Sequence, residues 1–98
     1  MNVISRKKIF EFIKKHADVK NALLSWYKEA SNAVWTKPQD IKSFYPSASF
    51  LGKNIVIFNI KGNKYRLAVK VNYTNKIIFI KWIGTHAQYG RKRFEEGT

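Results

Sequence analysis

The chain has 98 residues and carries 19 Lys and Arg against 6 Asp and Glu, a formal net charge of +13, with 45% hydrophobic and 15% aromatic residues. That much apolar material supports one small core and argues against disorder, while the longest apolar runs, such as those starting at Ile55 and Ile77, fall far short of the roughly 20 residues that span a bilayer. With no cysteine, disulfides, thiolate zinc sites and cysteine nucleophiles are all excluded.

Taken in chain order, Asn2–Ile4 reads as a short strand. Ser5 then stands where a helix N-cap would, ahead of a helix running to about His16 with Ile9, Phe12 and Ile13 on one face and Lys7, Lys14 and Lys15 left wet. His16, at that helix's end, suits a C-terminal cap. Asp18 is positioned to cap a second helix, Val19 to about Val34, whose Leu23, Trp26, Tyr27 and Ala30 form an apolar stripe. From Trp35 to Phe50, Pro38, Pro46 and several serines mark a connection with room for one helical turn around Gln39–Phe44. Three runs rich in β-branched and aromatic residues follow, Asn54–Ile60, Lys64–Tyr73 and Lys76–Ile83, separated by Lys61-Gly62-Asn63 and Thr74-Asn75. The expected architecture is α+β: one domain, residues 1–98, with two N-terminal helices packed on one face of an antiparallel sheet made of the short first strand and a three-strand meander. No signal peptide is readable after Met1, so the expected location is the cytoplasm.

Charge is distributed unevenly along this framework. Between Ile41 and Phe94 there is no Asp or Glu, whereas the amino-terminal part mixes its signs. Concentrated positive charge favours a polyanion, because each neutralised phosphate releases counterions. Alternation in the middle strand sends Tyr65, Leu67, Val69 and Val71 one way and Lys64, Arg66, Ala68 and Lys70 the other. In the last strand Ile78, Ile80 and Trp82 share one face, which lets Lys81 join Arg66 and Lys70 on the other. Asn59 of the first strand can join them. A sheet face of this kind suits a phosphate backbone and unstacked bases, with Lys61, Lys64, Lys70 and Asn59 as RNA-binding candidates.

The same map limits the chemistry. A two-metal nuclease needs a carboxylate cluster, and the sheet half has no acid to build one. No phosphate-cradling glycine loop occurs, and His16 and His86 are the only histidines available for a serine triad. RNA, however, can be cut by its own 2′-OH, with no metal and no cofactor. The protein then supplies a base, an acid and cations that stabilise charge on the phosphate. His86 is the natural titrating group. Arg66, Lys64, Lys70 and Lys81 are candidate charge stabilisers, and Tyr89, three residues after His86, can stack on a base or donate a proton.

Three segments, Tyr45-Pro46-Ser47-Ala48-Ser49-Phe50, Phe58-Asn59-Ile60-Lys61-Gly62-Asn63-Lys64-Tyr65-Arg66-Leu67 and Gly84-Thr85-His86-Ala87-Gln88-Tyr89, closely resemble the HigB toxin family of type II toxin-antitoxin systems. The match runs in order from about Val3 to Tyr89. That family is similar to the RelE/ParE-like toxins, so the resemblance implies helices on a curved antiparallel sheet. It also implies metal-independent endoribonuclease activity on mRNA, in many relatives on the ribosome, that inhibits translation, and a cognate helix-turn-helix antitoxin. Arg66 matches the arginine of the family's Lys-Tyr-Arg element, and His86 and Tyr89 match its Thr-His-Ala-Glu-Tyr-Asp element. Gln88 and Gly90 replace the usual Glu and Asp there, and the tail Gly90–Thr98 departs from the usual ending. If the missing acids tune His86 or order the tail, weaker activity is expected. Two alternatives stay open: a non-catalytic RNA- or ribosome-binding protein, and a toxin-like protein acting on another target such as DNA gyrase.

Overall fold

A computed structural model describes residues 1–91. Most of the atypical tail therefore lies outside the described residues. The elements are β1 (Asn2–Ile4), α1 (Lys7–Lys15), a 3₁₀ turn (Ala17–Val19), α2 (Lys20–Asn32), α3 (Pro38–Phe44), β2 (Ser49–Phe50), β3 (Ile55–Ile60), β4 (Tyr65–Asn72), β5 (Ile77–Thr85) and α4 (His86–Arg91). The strands form one sheet in the order β1-β5-β4-β3-β2. The meander β3-β4-β5 is antiparallel, as its short turns require, while β1 pairs parallel to β5 and makes the sheet mixed.

Helix starts differ from the sequence expectation. Ser5 sits in left-handed backbone at φ 63°, outside the extended geometry an N-cap needs, and α1 begins after Arg6 with no side-chain cap. Asp18 does not cap α2 either: it lies inside the 3₁₀ turn, and its carboxylate is drawn across the molecule to the β3–β4 turn. The single turn expected around Gln39–Phe44 is a full short helix with Pro38 at its start.

One cluster joins helices to sheet. Ile9, Val19, Leu23, Trp26 and Ala30 pack against Val56, Phe58, Leu67, Val69, Ile78 and Ile80, as the two periodicities predict. Phe58 is its aromatic hub, with ring centroids of Trp26 at 5.3 Å, Tyr45 at 5.1 Å and Trp35 at 6.5 Å. Tyr45 is held from outside by its hydroxyl, which donates to Glu29 Oε1.

The largest departure is a β-bulge. Ala68 pairs with Trp82 but Val69 pairs with Ile80, so Lys81 has no partner in the ladder. One extra residue inverts the alternation beyond it. Ile78 and Ile80 face the core as expected. Trp82, expected beside them, turns to the opposite face and packs with Ile55, Ile57 and Ala68, while Ile83 turns toward the core cluster.

Candidate RNA-cleaving site

Register brings three of the expected residues to one end of the outer sheet face. Arg66 on β4 lies opposite Asn59 on β3 and Gly84 on β5. His86 begins α4, where its backbone N–H donates to the Lys64 carbonyl at 2.9 Å. The imidazole is exposed. Tyr89, one turn along α4, lays its ring 5.9 Å from the Arg66 guanidinium and 6.3 Å from the Trp82 ring. Asn59 is half-buried, with Nδ2 donating to the Ser47 carbonyl at 3.5 Å.

Arg66 is not the open surface cation that alternation alone suggests. It is 8% exposed, because Tyr89 covers it from α4. Nη1 donates to the carbonyls of Asn63 at 3.0 Å and Tyr65 at 3.3 Å, which fixes the plane of the guanidinium. Nε and Nη2 take no hydrogen-bond partner among the described residues. Two donors of a planar fork therefore stay available to a phosphate.

The helix that carries His86 and Tyr89 is set by a reciprocal cap. The Thr85 N–H donates to Gln88 Oε1 at 2.9 Å, and the Gln88 N–H donates to Thr85 Oγ1 at 3.1 Å. This is the capping-box arrangement, which Glu and Gln serve alike. Gln88 thus orders the start of α4 without a charge. Gly84 makes room for it: a Cβ there would lie 2.3 Å from the Trp82 ring and 2.8 Å from Gln88 Oε1. The glycine is needed for close approach.

The expected lysines are dispersed. Lys61 and Lys64 both reach Asp18 Oδ2, at 3.3 and 2.7 Å, and Tyr65 donates its hydroxyl to Oδ1 at 2.8 Å. Both are thus tied on the surface to an acid 43 to 47 residues away. Lys70 stands four residues along β4 from Arg66, about 13 Å at the usual rise. Lys81, at the bulge, is three residues from Gly84, about 10 Å. It lies between two hollows, one shared with Lys70 and Phe79 and the other with Lys8 and Trp82. Neither Lys70 nor Lys81 is brought into the Arg66–His86–Tyr89 group.

The Asp18 clamp ties the turn that precedes Arg66 to the helical half. Hydrogen bonds from Lys64 first and Tyr65 second hold the Asp18 carboxyl well below the usual carboxylate range, and the Asp18 bond raises Lys64. A lowered carboxyl contributes stability above its unfolded value, about 3.9, and loses it as pH falls through the folded value. Raised Lys64 contributes below about 10.4 and loses that contribution as pH rises through its own folded value. The clamp thus operates across neutral pH and fails in acid. Asp18→Asn should flatten the acid limb of a melting-temperature profile, and an unchanged limb would show that the clamp is not a source of acid sensitivity.

Among the described residues no group of three or more His, Cys, Asp or Glu side chains converges, and no helix is long and apolar enough to cross a membrane. What the outer face offers instead is a fixed guanidinium, an exposed imidazole and a phenol at one end of a sheet.

Comparison with known proteins gives a consistent relationship. Residues 19–92 match the family model of the HigB toxin, described as the RelE-like toxic component of a toxin-antitoxin system. The chain is 27% identical over 93 residues to the mRNA interferase HigB of Escherichia coli O6:H1 strain CFT073, covering 93% of this chain and 90% of that protein. It is 26% identical over 92 residues both to the mRNA interferase toxin HigB of Escherichia coli strain K12 and to the mRNA interferase HigB of Shigella flexneri, in each case covering 91% of this chain and 88% of the relative.

Proposed function

The chain belongs to the HigB toxin family, and from that premise we propose that it is an mRNA interferase that cuts phosphodiester bonds by attack of the RNA's own 2′-OH, without a metal ion. As a toxin of this family it has mRNA as substrate and a cognate antitoxin as partner. The observation that carries the mechanism is the grouping of Arg66, His86 and Tyr89 at the β4–α4 corner, on a stretch with no acid from Ile41 to Phe94.

In this reading the exposed His86 imidazole takes the 2′-OH proton as the 2′-oxygen attacks the adjacent phosphorus. Charge grows on the non-bridging oxygens, where the open Nε and Nη2 donors of Arg66 meet it. The bond to the 5′-oxygen breaks, that oxygen takes a proton from the Tyr89 hydroxyl, and a 2′,3′-cyclic phosphate remains. Tyr89 must swing off Arg66 for the phosphate to enter, so its ring is also placed to stack on the base it admits. Asn59, opposite Arg66, is a further polar contact for the substrate. Lys81, outside this group, serves the flanking strand instead of the reacting phosphate.

Cleavage in the cytoplasm on translating ribosomes, with release blocked by a helix-turn-helix antitoxin acidic at the contact, completes the proposal. Its test is the protein added to a translating extract and, separately, to the same purified mRNA in EDTA. New 5′ ends in both support metal-free cutting by the protein alone, and ends in the extract but on purified mRNA neither with EDTA nor with Mg²⁺ assign a role to the ribosome. Intact messages in both contradict the reading.

A further inference from the structure

The amino-terminal half mixes its signs in sequence, and in the fold its acids take specific partners. Glu11 pairs with Lys7 at 4.0 Å, Asp18 with Lys61 and Lys64, and Glu29 with the Tyr45 hydroxyl. Lys8, Lys14 and Lys15 of α1 instead border a hollow of about 560 Å³ against β5, closed on the far side by Lys81 and Trp82. A second hollow of about 460 Å³ shares Phe12, Lys15, Trp82 and Ile83 with the first and extends to His16 and Arg91. The two are one groove.

We infer that this groove between α1 and β5 is a second RNA tract, separate from the cleaving corner, which holds the single strand flanking the cut bond with phosphates on Lys14, Lys15 and Arg91 and a base on Trp82. The choice of RNA as occupant rests on the reading of the chain as an mRNA interferase. Three observations support the tract itself. Among the described residues that line the groove, Glu11 is the one acid, and it has Lys7 as a partner. Aromatic planes lie among the cations, with the His16 ring stacked on Phe12 at 4.3 Å, a composition that suits unpaired bases as well as phosphates. Acidic peptide would need only the cations. Finally, the groove is continuous with the cleaving corner: Trp82 lies on its wall and 6.3 Å from Tyr89, so a strand leaving Arg66 passes directly over the indole.

The bulge is what makes this possible. Had β5 kept its alternation, Trp82 would face the core and Lys81 would stay in the ladder. The extra residue puts the indole on the outer face, and Lys8 Nζ ties α1 to the bulge by donating to the Lys81 carbonyl at 3.3 Å.

The test measures binding, not cutting. A fluorescein-labelled 2′-O-methyl RNA, which has no free 2′-OH, is titrated by anisotropy across a salt series with the full chain. Lys14→Gln with Lys15→Gln should make the slope of log affinity against log salt shallower by about 1.4, at about 0.7 per single-strand phosphate. Trp82→Leu should weaken binding about tenfold, and the lysine pair, being exposed, keeps the test valid should that variant unfold. Lys20→Gln with Lys28→Gln removes the same net charge from α2 and should leave the slope near wild type. Equal effects from both lysine pairs would reduce the groove to general electrostatics and overturn the inference, as would an unchanged slope in the Lys14/Lys15 pair. Poly-glutamate displacing the RNA from wild type but not from the Lys14/Lys15 variant, at the same charge concentration that RNA itself requires, would assign the groove to an acidic polypeptide and also overturn it. Because the probe cannot be cut, a protein that binds as described but never cleaves mRNA would leave the tract standing and remove only the catalytic reading.

Discussion

Arg66→Ala should lower the rate of mRNA cleavage by roughly 10²–10³-fold, the usual cost of removing a donor that meets transition-state charge. The residue has two jobs. Nη1 secures the turn through the carbonyls of Asn63 and Tyr65, and in the proposed reaction the remaining nitrogens meet the phosphate. The first job carries a stability cost of about 1–3 kcal/mol when the partner is deleted, so a melting curve must accompany the kinetics. Arg66→Lys separates the two: it keeps the charge but loses the fork, and should recover folding more fully than activity. Single-turnover cleavage of a defined mRNA reads the effect. A wild-type rate in folded Arg66→Ala would remove the guanidinium from the reaction.

Phe58→Ala should be the most damaging substitution outside that corner, at about 3–5 kcal/mol. Phe58 is 1% exposed and touches Trp26 of α2, Trp35 of the following connection and Tyr45 after α3. It is the point where the helical half, the connection and β3 share one packing contact. Its removal leaves a cavity that three rings on different elements cannot all collapse into. At about 4–8 °C per kcal/mol for a domain of this size, the melting temperature should fall by about 12 °C or more. A fall of only a few degrees would show that the aromatic hub is not central to the fold.

Local pattern made much of this fold legible. Lys61-Gly62-Asn63 and Thr74-Asn75 mark real turns, and Tyr65, Leu67, Val69 and Val71 do share the core face. The pairing of Asn59 with Arg66 follows from the same alternation. What alternation cannot register is one added residue. The bulge at Lys81 moves Trp82 from the core side to the outer face and takes Lys81 out of the ladder. Long-range charge pairing was equally hidden. Asp18, beside a helix start, reads as a cap by local rules, yet three donors from the β3–β4 turn outcompete two backbone N–H groups. That choice ties Lys61 and Lys64 to Asp18 and leaves Glu11 as the acid beside the α1 lysines.

The residues that the resemblance singles out are placed at the β4–α4 corner. Arg66 lies far from His86 and Tyr89 in sequence, and register and the Thr85–Gln88 cap place α4, which carries both, at its end of β4. Gln88 stands where the resemblance led one to expect Glu, and the cap forms without the charge.

The central claim is that the RNA supplies its own nucleophile, and the chemistry of the cut ends tests it most directly. A defined mRNA is cut with purified protein and both new termini are identified. A 2′,3′-cyclic phosphate opposite a 5′-hydroxyl is the predicted pair, unaffected by chelator. A 5′-phosphate opposite a 3′-hydroxyl would mean that water attacked instead, and would contradict the account.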